Sequence, residues 1–191
     1  EYISMKKKQF VIFGNPVSHS KSPQMHNAGL KYINFDGEYI KHQLIDGNTI
    51  KEVFLQNNYS GANITVPHKE LAYENADEVR GLAKEIKAVN TYINENGKII
   101  AYNTDAPGFL NAIESFGEVK NVLLLGAGGT AKAIALALQS KNIKVTVLNR
   151  SEGKLDFFKE HKISCFSWEN FKAENYDLIV NSTSAGLKDE E

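Results

Sequence analysis

A single cysteine, Cys165, occurs in 191 residues, so no disulfide can close within the chain and no cysteine zinc set can form. It lies in Ile163-Ser164-Cys165-Phe166, which reads as a buried strand, and a small core hydrophobe is expected there. Neither sign of charge dominates: 22 Lys and Arg stand against 23 Asp and Glu, a net charge of −1. That balance gives no electrostatic case for nucleic acid or an anionic membrane. No apolar run reaches transmembrane length. Glu1 to Lys8 is polar and has no apolar stretch of signal-peptide type, and Met5 is a candidate native start. A cytoplasmic protein is the default expectation. The five histidines show no metal-ligand spacing, so no metal is expected. His26 reads as helix surface or partly buried, His42 and His161 as solvated, and His19 and His68 as loop-shaping residues.

What the chain does have is an apolar run that meets a glycine turn, Val122-Leu123-Leu124-Leu125-Gly126-Ala127-Gly128-Gly129-Thr130-Ala131. Ala131, Ile134, Ala135 and Leu138 then fall on one helical face. Gly126 permits the tight turn, Gly128 lets backbone approach phosphates, and Ala131 takes the small position where helix packs on strand. The free N–H groups and positive dipole end of the helix complete a pyrophosphate cradle. An ordinary structural glycine turn is the alternative. A second apolar strand, Lys144 to Leu148, completes a βαβ unit and favours dinucleotide binding.

That strand ends in Leu148-Asn149-Arg150-Ser151, with Lys154 close behind. A carboxylate there would accept from a ribose 2′-OH and repel a 2′-phosphate, whereas a guanidinium can grip the phosphate with two hydrogen bonds. Asn149 and Arg150 therefore favour NADP over NAD, the alternative being a solvated arginine at a strand end.

The first half reads as mixed α/β. Strands are expected at Gln9–Phe13, Glu38–Leu44, Gly61–Val66, Thr91–Asn94 and Lys98–Tyr102, the last two joined by a hairpin through Asn96-Gly97. Helices are expected at Pro23–Ile33, with Ser22 as cap, at Thr49–Gln56 and at Asp77–Lys87. The boundary falls near Thr104 to Gly108, giving domains of residues 1–105 and 106–191. The second alternates helix and strand, with strands at 122–125, 144–148, 163–166 and 177–181 and helices at 109–116 and 168–172. The pattern predicts a parallel, doubly wound sheet. Such a sheet commonly has about six strands, so the nucleotide domain reads as incomplete and the chain as part of a longer protein.

Polar clusters punctuate the first half: Ser18-His19-Ser20-Lys21-Ser22-Pro23, Asn63-Ile64-Thr65-Val66-Pro67-His68-Lys69, and Ala88-Val89-Asn90-Thr91 followed by Tyr102-Asn103-Thr104-Asp105. Serines in a loop before a helix can donate to a carboxylate. Asn63 and Thr65 share one strand face. Lys69 can serve as a proton donor if burial or a carboxylate such as Asp105 tunes it. Each cluster alone is equally compatible with a cap, an edge strand or a solvated loop. Together, ahead of a nucleotide domain, they point to a polar small-molecule substrate.

The ordered set Gly14-Asn15-Pro16, Ser20-Lys21-Ser22-Pro23, Asn63 to Lys69, Ala88 to Thr91, Asn103-Thr104-Asp105 and Gly126 to Gly129 resembles the shikimate dehydrogenase family over nearly the whole chain. The resemblance implies an N-terminal α/β substrate domain, a Rossmann-like NADP domain, and reversible NADPH-dependent reduction of 3-dehydroshikimate to shikimate in chorismate and aromatic amino acid biosynthesis. It implies that Ser20 and Ser22 bind the substrate carboxylate, that Asn63, Thr65, Asn90 and Asp105 contact the ring, and that Lys69 is the acid/base with Asp105 its partner. Gly126, Ala127, Gly128, Gly129, Thr130, Asn149, Arg150, Ser151, Lys154 and Thr183 would hold NADP. The chain departs from the family at Lys154, where arginine is common, and at Ala106-Pro107. It also lacks the family's C-terminal portion. A monomer or homodimer is expected. An NAD-linked quinate/shikimate dehydrogenase and a noncatalytic ligand-binding paralogue are the alternatives.

Overall fold

The computed structural model describes residues 7–183 and 185. The chain divides after Thr104 into two compact units, residues 1–104 and 105–191.

The first unit runs β1 (Lys8–Gly14), α1 (Ser22–Tyr32), β2 (Gly37–Gln43), α2 (Ile50–Gln56), β3 (Gly61–Ile64), α3 (Lys69–Asn75), β4 (Glu78–Val79), α4 (Ala83–Ile86), β5 (Thr91–Glu95) and β6 (Lys98–Tyr102). Its sheet has the order β2-β1-β3-β5-β6-β4. β1 is parallel to β2 and β3, while β5 is antiparallel to β3 and β6. Strand alternation separates two faces. Val11, Phe13, Ile64 and Tyr92 pack with Ile50 and Phe54 of α2 and Ala72 of α3. Each of the Val, Ile and Phe side chains among these contributes about 1.5–3 kcal/mol on burial. The opposite face carries Ile12 and Tyr39, with Phe10 and Leu30 packed on them. Asn96 and Gly97, at φ 57° and 86°, make the expected tight hairpin between β5 and β6.

The second unit runs α5 (Asp105–Ile113), β7 (Asn121–Leu125), α6 (Gly129–Ser140), β8 (Lys144–Asn149), α7 (Asp156–Glu160), β9 (Ser164–Ser167) and β10 (Leu178–Asn181). Its strands lie in the order β10-β7-β8-β9, all parallel, as the alternating pattern predicts. α6 is buried at Ala131 and from Ala133 through Leu138.

Several local expectations are corrected. Residues 77–87 do not form one helix. The Asp77 carboxylate accepts from the Ile99 N–H at 2.8 Å, Glu78 and Val79 pair with Ile100 and Ala101, and Gly81 turns at φ +62°. Only Ala83–Ile86 remains helical. Ser22 is the first helical residue instead of the cap: Ser20 Oγ accepts from its N–H at 3.2 Å. Only a 3-10 turn, Trp168–Asn170, occupies the expected 168–172 helix. Cys165 is half-buried on β9, and burial pushes its thiol pKa up. His42 and His161 are partly covered. Nδ1 of His42 lies 3.1 Å from the Tyr59 hydroxyl, and that of His161 donates to the Phe157 carbonyl at 2.7 Å.

Candidate active site

In the first unit the Asn63–Lys69 and Ala88–Thr91 clusters meet near the ends of β1 and β3, which run parallel. Ligands in open α/β sheets bind at the carboxyl ends of strands. Thr65 N–H donates to the Phe13 carbonyl at 2.9 Å, and Asn15 N–H to the Val66 carbonyl at 3.1 Å. Gly14 makes this possible, because a Cβ there would stand 2.5 Å from Thr65 Cγ2. Asn63 and Thr65 are both partly exposed.

Lys69 is the first residue of α3 and is partly buried. The preceding His68 is 2 % exposed, and its Nε2–H donates to the Leu44 carbonyl at 2.7 Å. Gly47 leaves room for it: a Cβ there would be 2.6 Å from His68 Nδ1. The ring shapes the loop, as the sequence suggests. The Val89 N–H donates to the Lys69 carbonyl at 2.9 Å, and the Ile64 N–H to the Asn90 carbonyl at 2.8 Å. These bonds draw the Asn63–Lys69 and Ala88–Thr91 segments together.

Asn90 is 8 % exposed and fixed on both ends of its amide. Its Oδ1 accepts from the Thr104 N–H and the Thr91 hydroxyl, each at 2.9 Å, and its Nδ2 donates to Thr104 Oγ1 at 2.9 Å. Ser20 and Ser22 point at one another, Ser20 Oγ donating to Ser22 Oγ at 3.2 Å. Turning those two hydroxyl protons outward would present a carboxylate with a pair of donors.

The sequence reading assigned no role to Tyr39, Thr91 or Thr104. The Tyr39 hydroxyl donates to Asn63 Oδ1 at 2.7 Å. The only sequence signal for it is that a buried tyrosine hydroxyl needs a partner. Asn63, Tyr39 and Thr91 also line a cavity of about 1330 Å³ on the α1 side of the sheet, whose other walls include Phe10, Leu30 and Ile93.

In the second unit the turn after β7 has the geometry of a phosphate cradle. Gly126 sits at φ +106°, and a Cβ there would come within 2.8 Å of Ser182 Oγ. Ser182 itself is anchored, its Oγ donating to the Leu125 carbonyl at 2.6 Å. Gly128 is different: a Cβ built on it meets nothing within 4 Å. Among the described residues nothing requires glycine at Gly128, so the open space in front of it suits a ligand that approaches the backbone. Gly128 precedes α6 with no side-chain cap, which leaves helix N–H groups for an anion. Ala127 is buried behind the turn, and Gly129 and Thr130 open the helix.

At the end of β8, Asn149 Nδ2 donates to the Ser151 carbonyl at 2.8 Å and folds the loop back. Arg150, Ser151 and Lys154 are exposed, leaving both cations accessible to a phosphate. Thr183 lies on the loop after β10, its hydroxyl donating to Asn181 Oδ1 at 2.7 Å. Ser184 and Gly186 of the same loop lie outside the described residues. Asp105 opens α5 as the acidic residue of its first turn. These residues fit NADP. Among the described residues no group of three or more His, Cys, Asp or Glu could hold a metal ion, and no helix is long and apolar enough to cross a membrane.

Two family models match the chain: the shikimate dehydrogenase substrate binding domain over residues 12–92, and shikimate/quinate 5-dehydrogenase over residues 111–188. An NADP(+) shikimate dehydrogenase from Helicobacter hepaticus is 45% identical over 182 residues, covering 94% of this chain and 68% of its own length. One from Helicobacter pylori strain J99 is 45% identical, covering 97% and 71%. The crystal structure of shikimate dehydrogenase from Aquifex aeolicus superposes with a TM-score of 0.91 at 36% identity, over 99% of this chain and 73% of that one. The Thermus thermophilus enzyme in complex with NADP(H) and shikimate gives a TM-score of 0.84 at 36% identity, over 94% and 70%. The glycine cradle, the cationic loop after β8 and the polar clusters at the strand ends thus occur in one ordered chain that belongs to the shikimate dehydrogenase family.

Proposed function

We propose that this chain catalyses the reversible oxidation of shikimate to 3-dehydroshikimate with NADP. The observation that carries the reading is the Val89–Lys69 backbone bond of 2.9 Å, which holds the Lys69 segment against the Asn90 segment. A lysine on a fixed helix start is thereby tied through its backbone to a segment whose Asn90 can hydrogen-bond a polyhydroxylated ring.

Ser20 and Ser22 would take the substrate carboxylate, and Asn63, Thr65 and Asn90 the ring hydroxyls. Gly126 to Thr130 would hold the pyrophosphate, with Arg150 and Lys154 on the 2′-phosphate and Asn149, Ser151 and Thr183 shaping the surrounding loops. Bound NADP supplies the hydride acceptor in the oxidising direction and the donor in the reducing one. Lys69 takes the hydroxyl proton as the alcohol becomes a ketone. In reduction its ammonium stabilises the developing alkoxide and then protonates it. Asp105 is assigned as its carboxylate partner on chemical grounds. A cytoplasmic location suits a biosynthetic enzyme of this kind.

The test is NADPH formation, followed by absorbance, when the chain meets shikimate and NADP+, with quinate and NAD+ in parallel. Turnover with the first pair is expected, and Lys69→Ala should reduce it by about 10²–10⁴-fold while shikimate still binds by calorimetry. Near-normal turnover in Lys69→Ala would remove the acid/base assignment. A folded chain that neither turns over nor binds shikimate would remove the proposed function.

A further inference from the structure

We propose that Tyr39 is a positioning residue for substrate recognition: by donating its hydroxyl to Oδ1 of Asn63, it locks that amide with Nδ2 presented as the donor to a ring hydroxyl. The inference rests on the reading of Asn63 as a substrate contact.

Asn63 is held tightly at one end of its amide and loosely at the other. Its Oδ1 accepts from Tyr39 at 2.7 Å, while its Nδ2 has two long contacts of 3.4 Å, to the Asn90 carbonyl and to Thr91 Oγ1. Rotating the amide by half a turn would set Oδ1 against the Asn90 carbonyl, two acceptors facing one another. The orientation is therefore determined, and both Nδ2 bonds are long, so a substrate oxygen at a shorter distance would compete for a proton that the protein holds only weakly. A free asparagine would sample both orientations and lose part of its selectivity for an oxygen acceptor.

Tyr39 is itself clamped. It is 5 % exposed, and its ring stacks on His26 with centroids 4.3 Å apart at 11°. The Asn27 side chain accepts from the Tyr39 N–H and donates to the Tyr39 carbonyl, both at 2.8 Å. His26 and Asn27 lie on α1, whose first residue is Ser22, so one helix carries a proposed carboxylate contact and the support of a proposed ring contact. Burial raises the Tyr39 pKa, which keeps its hydroxyl a donor throughout the working pH range.

A double-mutant cycle tests this with Tyr39→Phe, Asn63→Ala and the combined variant, reading shikimate KM, NADP+ KM and kcat together with the calorimetric shikimate Kd. Tyr39→Phe keeps the stacked ring and the backbone bonds to Asn27. It should raise shikimate KM and Kd by about five- to tenfold and leave NADP+ KM unchanged. In the Asn63→Ala background the same substitution should change shikimate affinity by less than about twofold. Asn63→Asp, which keeps the acceptor for Tyr39 but removes the donor, should lose as much affinity as Asn63→Ala. Equal effects of Tyr39→Phe in both backgrounds, or no effect of Asn63→Ala, would overturn the inference while leaving the enzyme's activity standing. A wild-type chain without shikimate turnover or binding would instead overturn the functional reading on which it rests.

Discussion

His68 Nε2 donates to the carbonyl oxygen of Leu44 across 2.7 Å, and the residue that follows His68 is Lys69. The bond joins the loop after β2 to the start of α3 and so fixes where the lysine begins. Nδ1 of the same ring has no hydrogen-bond partner among the described residues. His68→Ala should lower stability by about 2–4 kcal/mol, through a cavity and an unpaired carbonyl. His68→Phe fills the space, removes the orphaned nitrogen and should cost about 1 kcal/mol. Urea unfolding measures both, and equal losses would mean that volume is not what matters at this site.

The two glycines of the cradle should separate folding from cofactor binding. Gly126→Ala forces a side chain into a left-handed backbone and against Ser182, so it should destabilise the second unit by about 1–3 kcal/mol. Gly128→Ala meets open space at ordinary φ and should leave stability within about 0.5 kcal/mol of wild type. Its NADP+ affinity should nevertheless fall. A Gly128→Ala chain that binds NADP+ normally would show that the cofactor does not approach this backbone.

Arg150 and Lys154 are exposed and differ from one another in chemistry. Arg150→Gln should weaken NADP+ by about 10–100-fold, the range for losing charge-assisted hydrogen bonds, with NAD+ little changed. Lys154→Gln should have the smaller effect, since an ammonium offers a point charge instead of a fork. Parallel titrations with the two cofactors decide it; equal losses for NADP+ and NAD+ would place neither residue on the 2′-phosphate.

Hydrogen bonds from Arg80, and then from Lys98, hold the Glu78 carboxyl down to about 2. A depressed carboxyl stabilises the fold above its unfolded value of about 4.3 and loses that contribution as pH falls through the folded value. Glu78→Gln should therefore flatten the acid limb of stability between about pH 4.3 and about pH 2, leaving the shape above pH 6 unchanged. Thermal unfolding across that range would show it, and an unaltered acid limb would assign the limb to other carboxylates.

Local signals were legible where the chain itself imposes the geometry. The run Val122–Leu125 with Gly126 and Gly128 announced β7 and its turn, and Asn96-Gly97 announced a hairpin. The candidate residues Asn63, Thr65, Lys69 and Asn90 were also legible, because their clusters are contiguous in sequence. Non-local partners were not. The apolar spacing of Val79, Leu82, Ala83 and Ile86 fits a helix, yet pairing with Ile100 and Ala101 converts its first part to strand. α3 was missed because Lys69–Asn75 is short, with only Ala72 fully buried. Tyr39 lies 24 residues from Asn63, and nothing local to either announces their bond.

Asn27 has an effect beyond Tyr39. β2 is an edge strand of the first sheet, and an edge ordinarily leaves a row of backbone donors and acceptors open to another chain. The Asn27 amide occupies both the N–H and the carbonyl of Tyr39, with the donor and acceptor pattern of a peptide group in a neighbouring strand. A single side chain thus acts as a false rung midway along β2. An incoming strand would have to displace it before the sheet could be extended, which guards this edge against edge-to-edge aggregation.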